Sequence, residues 1–178
     1  DGSRHYDNSF AHLENELDKS LQRLGLDQVE LLYVHRRDEN TPIEEVADSL
    51  SRLVKAGKIN QIGFSEIAPT SLEIASHIYP VAAVQSEYSL STRSPEMGLV
   101  QKTRELDSTL IAFSPVGRSL LTDTPIELDI CKTLPFLKAN PRFTAENYER
   151  NLNASASFRS LASDLSLIHI SEPTRPRS

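Results

Sequence analysis

Apolar residues at Phe10, Leu13, Leu17, Leu21 and Leu24 recur every three or four positions, which places them on one face of a helix. Gly25 follows and is suited to end it. The next apolar run, Val29 to Val34, is short and unbroken, as expected for a strand covered on both sides. Thr41-Pro42-Ile43-Glu44 then reads as a helix start, with Thr41 as N-cap, Pro42 at the first helical position and Glu44 completing a capping box. Its apolar face would carry Ile43, Val46, Leu50, Leu53 and Val54 and end near Gly57.

The alternation continues. Ile59 to Phe64 predicts a strand and Thr70 to His77 a helix closed by Pro80. Val81 to Gln85 is the next strand, and Ser94-Pro95-Glu96 opens a helix through Leu99, Val100 and Leu106. Thr109 to Phe113 is a fourth strand, and an amphipathic helix spans about Glu146 to Asp164. Four strand-helix alternations imply parallel strands joined by right-handed crossovers. A doubly wound sheet and a closed barrel both fit that order. No strand is followed by G-x-G-x-x-G, which favours the barrel over a dinucleotide-binding open sheet.

Composition narrows the function class. Of 178 residues, 38% are hydrophobic and 25% charged, which is a globular balance. The net charge of −6 and the scatter of Lys and Arg argue against nucleic acid as a partner, and Arg36-Arg37 reads as a solvated loop. No apolar run is long enough to span a bilayer as a helix, so no membrane partner is expected. The single cysteine, Cys131, excludes an internal disulfide, suggests a cytoplasmic protein and reads as an ordinary residue rather than a nucleophile.

In parallel β/α barrels chemistry sits at the C-terminal ends of the strands. Those positions hold His35, Ser65 with Glu66, Gln85 and Ser114, each the first strongly polar side chain after an apolar run. Each also has a plainer reading. A strand-end His is often structural, Ser65 could cap a helix, Gln85 could pair with loop backbone, and Ser114-Pro115-Val116-Gly117 could be only a turn. Four such groups at one mouth favour a small-molecule site.

Seven ordered blocks resemble the aldo-keto reductase family, in particular its branch with perakine and pyridoxal reductases. They are Ser20-Leu-Gln-Arg-Leu-Gly25, Leu32-Tyr-Val-His-Arg36, Thr41-Pro-Ile-Glu-Glu45, Leu53 to Lys58 leading into Ile62-Gly-Phe-Ser-Glu66, Val84-Gln-Ser-Glu-Tyr-Ser-Leu90, Phe113-Ser-Pro-Val-Gly-Arg118, and Asn140-Pro-Arg-Phe143 with Glu146-Asn147. The resemblance implies a partial (β/α)8 TIM barrel, α/β in class, with about four of eight strands. It implies reduction of an aldehyde or ketone with NADPH. His35 would fall on the active-site histidine that orients the substrate carbonyl. Ser65, Glu66 and Gln85 would hold the nicotinamide carboxamide, and Phe113 would stack on the ring. Ser114, Pro115, Val116, Gly117 and Arg118 would begin the loop over the pyrophosphate.

Departures accompany the resemblance. The family's proton-donor Tyr, its Lys and its Asp belong to blocks expected upstream, and Tyr6, Tyr33, Tyr79 and Tyr88 stand in other blocks. The adenosine-site fingerprint is absent, Ser119 stands where glycine is common, and Phe113 lacks a phenol. The chain does not begin with Met and is expected to start inside a longer protein. Residues 1–165 are expected to form the partial barrel domain and residues 166–178 an unstructured, non-native tail interrupted by Pro173 and Pro176. Two rival readings stand beside this one: an interaction protein on the same fold, like some potassium-channel β subunits, or a truncated product without function.

Overall fold

The computed structural model describes residues 5–165, so the expected tail lies outside the described residues. The chain packs as two compact units: residues up to Tyr88 with Arg93–Phe113, and Ser89–Thr92 with the residues from Ser114 onward.

The first unit alternates helix and strand as the periodicity predicts. Helix α1 (Phe10–Leu24) is capped by Ser9, whose hydroxyl accepts from the His12 N–H, and is closed by Gly25 at φ 66°. Then come β1 (Val29–Val34), α2 (Ile43–Lys55), β2 (Ile59–Ser65), α3 (Pro69–Ile78), β3 (Val81–Glu87), α4 (Leu99–Glu105) and β4 (Thr109–Phe113). The strands form one sheet in the order β1-β2-β3-β4, parallel at every step. One face carries Val34, Ile62, Phe64 and Val84 into a core shared with Leu17, Leu50, Leu53, Leu72 and Leu99 from the helices.

Three local expectations are corrected. Thr41 is not the N-cap of α2; its hydroxyl is taken by Asp38 Oδ2 at 2.8 Å, Pro42 occupies the cap position, and no side chain caps it. Ser94 opens a 3-10 turn, Ser94–Met97, and Gly98 at φ 145° separates it from a short α4. Arg36 and Arg37 are half-buried rather than solvated, with Arg37 donating to the Thr41 carbonyl at 3.0 Å. Strands β2 and β3 also outrun their apolar cores, because the ladder continues through Ser65↔Gln85 and Glu87↔Phe113.

The opposite face of the sheet is tight at one point. A Cβ added at Gly63 would stand 2.7 Å from Tyr33 Cε1 and 3.0 Å from the Ala83 carbonyl oxygen. Gly63→Ala must therefore displace an aromatic ring or the ladder itself. The expected loss is about 1–3 kcal/mol of stability, read as a lower urea midpoint. Trimming Tyr33 in the Gly63→Ala background should recover part of it, and an unchanged midpoint in the single variant would refute the contact.

Among the described residues no further strand pairs with the outer side of β1 or β4. The β4 edge, Thr-Leu-Ile-Ala-Phe, carries no charge, and Ile111 is 37% exposed. The β1 edge is less bare than its apolar run suggests, since Glu30 accepts from Asn60 Nδ2 at 2.7 Å. Open parallel edges invite pairing between chains. Gel filtration of the 178-residue polypeptide is expected to show species larger than a monomer; a clean monomer that melts cooperatively would contradict this.

The second unit holds α5 (Leu128–Thr133), α6 (Pro135–Lys138), a 3-10 turn Pro141–Phe143 and α7 (Ala145–Asp164). Its core is Leu120, Cys131, Leu137, Phe143 and Tyr148. Cys131 is fully buried there and burial pushes its thiol up from the ordinary range, so it serves packing, as its sequence context predicts. The Asn140-Pro-Arg-Phe143 block and the first turns of α7 brace one another. Asn140 accepts from the Arg142 N–H, Asn147 donates to the Pro141 carbonyl, and Asn151 donates to the Arg142 carbonyl.

Candidate active site

The strand register brings three sequence-predicted residues of the first unit into one row. Val34 pairs with Phe64, so His35 and Ser65 follow side by side at the ends of β1 and β2. Ser65 pairs with Gln85, and Gln85 with Ile111. Neighbouring strands lie about 4.8 Å apart, so the row is compact enough to meet one small ring. Tyr33 and Gly63 stand one pleat earlier on the same face, which is the face turned away from the helix-side core.

The hydrogen-bond state of each group differs. His35 is exposed, and its imidazole has no hydrogen-bond partner among the described residues. Gln85 is half-buried; its backbone carbonyl accepts from the Glu66 N–H, while its side-chain amide is uncommitted among the described residues. Ser65 is 4% exposed and accepts a hydrogen bond from Arg36 Nη1 at 3.0 Å. These three groups can still receive a polar ligand.

Glu66 is placed differently. It sits at φ 57°, and its carboxylate accepts from the Glu87 N–H at 2.8 Å and from Ser86 Oγ at 3.4 Å. The side chain is bound to the end of β3 and braces β2 against it. Phe113 ends β4 beside Glu87, half-buried, with its carbonyl accepting from the Tyr88 N–H.

Ser114, Pro115, Val116, Gly117 and Arg118 belong to the second unit. Ser114 and Gly117 close a turn, with the Gly117 N–H donating to the Ser114 carbonyl at 2.9 Å. Gly117, Arg118 and Ser119 all have positive φ, at 61°, 55° and 77°. Only glycine adopts such values without cost, so Ser119 is strained where glycine would not be; its hydroxyl compensates in part by accepting from the Ile126 N–H at 2.9 Å. A Cβ at Gly117 would meet Ser91 Oγ at 2.7 Å, so that glycine is required by space as well as by φ.

Sequence reasoning missed Asn8 and Arg36. Asn8, 4% exposed, donates from Nδ2 to the Arg36 carbonyl at 3.2 Å and accepts the Asp38 N–H at 2.6 Å, fixing the loop after His35. The only available signal was position: Arg36 directly follows the strand-end His35. Among the described residues no group of His, Cys, Asp and Glu could hold a metal ion, and no helix is long and apolar enough to cross a membrane.

Three tyrosines are ill suited to act as acids. Burial raises the Tyr33 phenol above its usual range, and its hydroxyl has no hydrogen-bond partner. Tyr88 donates to Glu96, which raises it too, and Tyr148 donates to the Ile126 carbonyl. None of these three is prepared to release a proton.

Comparison with known proteins gives the family and the fold. The 37%-identical NADP(+) aldo-keto reductase yakc of Schizosaccharomyces pombe aligns over 164 residues, 90% of this chain and 48% of the relative. Aldo-keto reductase str7 of Strobilurus tenacellus is 38% identical over 145 residues, 80% of this chain and 43% of its own length. The structure of a glycerol dehydrogenase from Gluconobacter oxydans superposes with a TM-score of 0.79 at 27% identity, over 93% of this chain and 51% of that one. The chain thus spans about half the length of the relatives it matches, and its sheet is a partial β/α barrel. The model of the aldo/keto reductase family matches residues 1–173, and with the ordered strand-end blocks and the shared fold this establishes that the chain belongs to the aldo/keto reductase family.

Proposed function

We propose that this chain supplies part of the active site of a nicotinamide-dependent reductase of aldehydes or ketones, with NADPH as the cofactor. The observation that carries the reading is the row His35, Ser65 and Gln85, whose polar groups stand at one strand end with hydrogen-bonding capacity left over. The donor set fits a carboxamide: Ser65 offers an O–H, and Gln85 offers both a carbonyl and an NH2. When bound, NADPH supplies the hydride. Ser65 and Gln85 hold the ring by its carboxamide, and Phe113 offers an aromatic face. His35 donates an N–H to the substrate carbonyl oxygen and orients it. Glu66 contributes by holding the ends of β2 and β3 together rather than by touching the ring. For the second unit, the loop Ser114, Pro115, Val116, Gly117 and Arg118 offers a guanidinium and backbone to an anion.

The test uses these residues within a barrel completed to the length of the relatives. Gln85→Leu is expected to raise the cofactor KM about tenfold, the value of one hydrogen bond to a neutral group. His35→Ala is expected to act mainly on kcat. Cofactor affinity untouched by Gln85→Leu would refute the carboxamide assignment.

A further inference from the structure

The Ser65 hydroxyl receives a hydrogen bond rather than giving one. Arg36 Nη1 donates to Ser65 Oγ at 3.0 Å and to the His35 carbonyl at 2.6 Å. A guanidinium has only donors. The Ser65 hydrogen must therefore turn away from Arg36, and no acceptor takes it among the described residues. With Ser65 4% exposed, little solvent is available to fill that role. Arg36 is itself held in place, because Asn8 grips its carbonyl and the Asp38 N–H. No carboxylate makes an ion pair with Arg36 among the described residues. A half-buried, unneutralised cation thus occupies one lone pair of the Ser65 hydroxyl and leaves its O–H free to donate elsewhere.

We propose that Arg36 is a positioning residue that presets Ser65 as a hydrogen-bond donor and biases the site toward the uncharged, reduced nicotinamide over the oxidised pyridinium. The proposal rests on the reading of Ser65 and Gln85 as the carboxamide pair. With one lone pair taken by Arg36 and its O–H unused, Ser65 favours donating to the carbonyl oxygen of the carboxamide, which leaves the NH2 to an acceptor such as the Gln85 side-chain carbonyl. This fixes which way round the amide sits. The charge acts separately. Reduced and oxidised rings differ by one positive charge, and a guanidinium hydrogen-bonded to the serine that holds the ring opposes the charged form. After screening by solvent at an open strand end, the expected bias is about tenfold.

A purely structural Arg36, one that only ties the β1 loop to the end of β2, would weaken both forms alike when removed. The ratio of the two affinities is therefore the informative quantity. Nicotinamide mononucleotide is the probe, in its reduced and oxidised forms, because it carries the same phosphate in both and needs no adenosine site. Binding to the full 178-residue chain is followed by the amide shifts of Ser65 and Gln85.

The wild-type chain is expected to bind the reduced form about tenfold more tightly than the oxidised one. Arg36→Met should remove most of that ratio and also weaken the reduced form. Arg36→Lys should keep the ratio. Arg36→Gln, which can still donate to Ser65 without charge, should lose the ratio but hold more of the reduced-form affinity than Arg36→Met. The amide spectra report whether each variant is folded, and the Lys and Gln variants preserve the test should Arg36→Met unfold. A ratio that survives both neutral substitutions, with Ser65 and Gln85 still responding, overturns the Arg36 proposal and leaves the carboxamide reading standing. A wild-type chain in which neither form moves Ser65 or Gln85 overturns both.

Discussion

A polypeptide of these 178 residues, given NADPH and 4-nitrobenzaldehyde, is expected to turn over at least about 100-fold more slowly than the same residues within a barrel completed by a family N-terminal half and last strand. A positioned general acid contributes about 10² to 10⁴ in rate, or roughly 3–5 kcal/mol of barrier. The resemblance assigns that role to a tyrosine in a block that these residues do not contain. Tyr33, Tyr88 and Tyr148 cannot substitute, since burial or hydrogen bonding to an acceptor holds each phenol to its proton. His35 orients a carbonyl, but protonating its oxygen would demand a charged imidazole and another substrate pose. Comparable turnover by the two polypeptides, abolished in both by His35→Ala, would falsify this expectation.

The second large effect is on stability. Phe64→Ala is expected to cost about 3–5 kcal/mol, which shifts the folding equilibrium by a factor of about 10² to 10⁴. Phe64 is 1% exposed in β2, and its register partners Val34 and Val84 are 3% and 0% exposed. The helices meet the sheet at this ring, so its removal leaves a cavity that neither a strand nor a helix can move to fill. Phe64→Leu conserves most of the volume and should cost less than about 1.5 kcal/mol. Urea midpoints of the two variants decide the matter. A loss below about 1 kcal/mol for Phe64→Ala would mean that the helix-side core is not centred where the packing places it.

Legibility followed the physics of each element. The first unit was readable because its helices bury one stripe and its strands are unbroken apolar runs, and both periods survive in a linear sequence. In the second unit only α7 was legible, its expected span of about Glu146 to Asp164 matching Ala145–Asp164. Helix α5 has six residues and α6 four, too short for a period to show, and their order comes from packing around Cys131 and Phe143. Thr41 carried a good capping signature, yet Asp38 competed for its hydroxyl, a contest decided by loop geometry. In the candidate site, the shared strand-end position of His35, Ser65 and Gln85 was legible because a polar side chain ending an apolar run is a local signal. The commitment of Glu66 to the Glu87 N–H depends on β2 meeting β3, which no local pattern encodes. Arg36 was misread for a related reason: two adjacent arginines look solvated until the partner strand delivers Ser65 beneath one of them.

The order of the sheet has a consequence for how the molecule is made. Strands neighbouring in space are also neighbours along the chain, and the paired residues lie only about 20–30 positions apart. Each strand can therefore dock on its predecessor as it leaves the ribosome, without waiting for any distant segment. Among the described residues the sheet is left open on both sides: once Phe113 has emerged, the outer edge of β4 is as ready to accept a partner as the outer edge of β1. A nascent chain would hold β2 and its Phe64 core early, while β4 stays exchangeable longest. Pulsed hydrogen exchange on stalled chains should show protection arriving strand by strand from β1 to β4, and each arrested length would expose a different edge to chaperones.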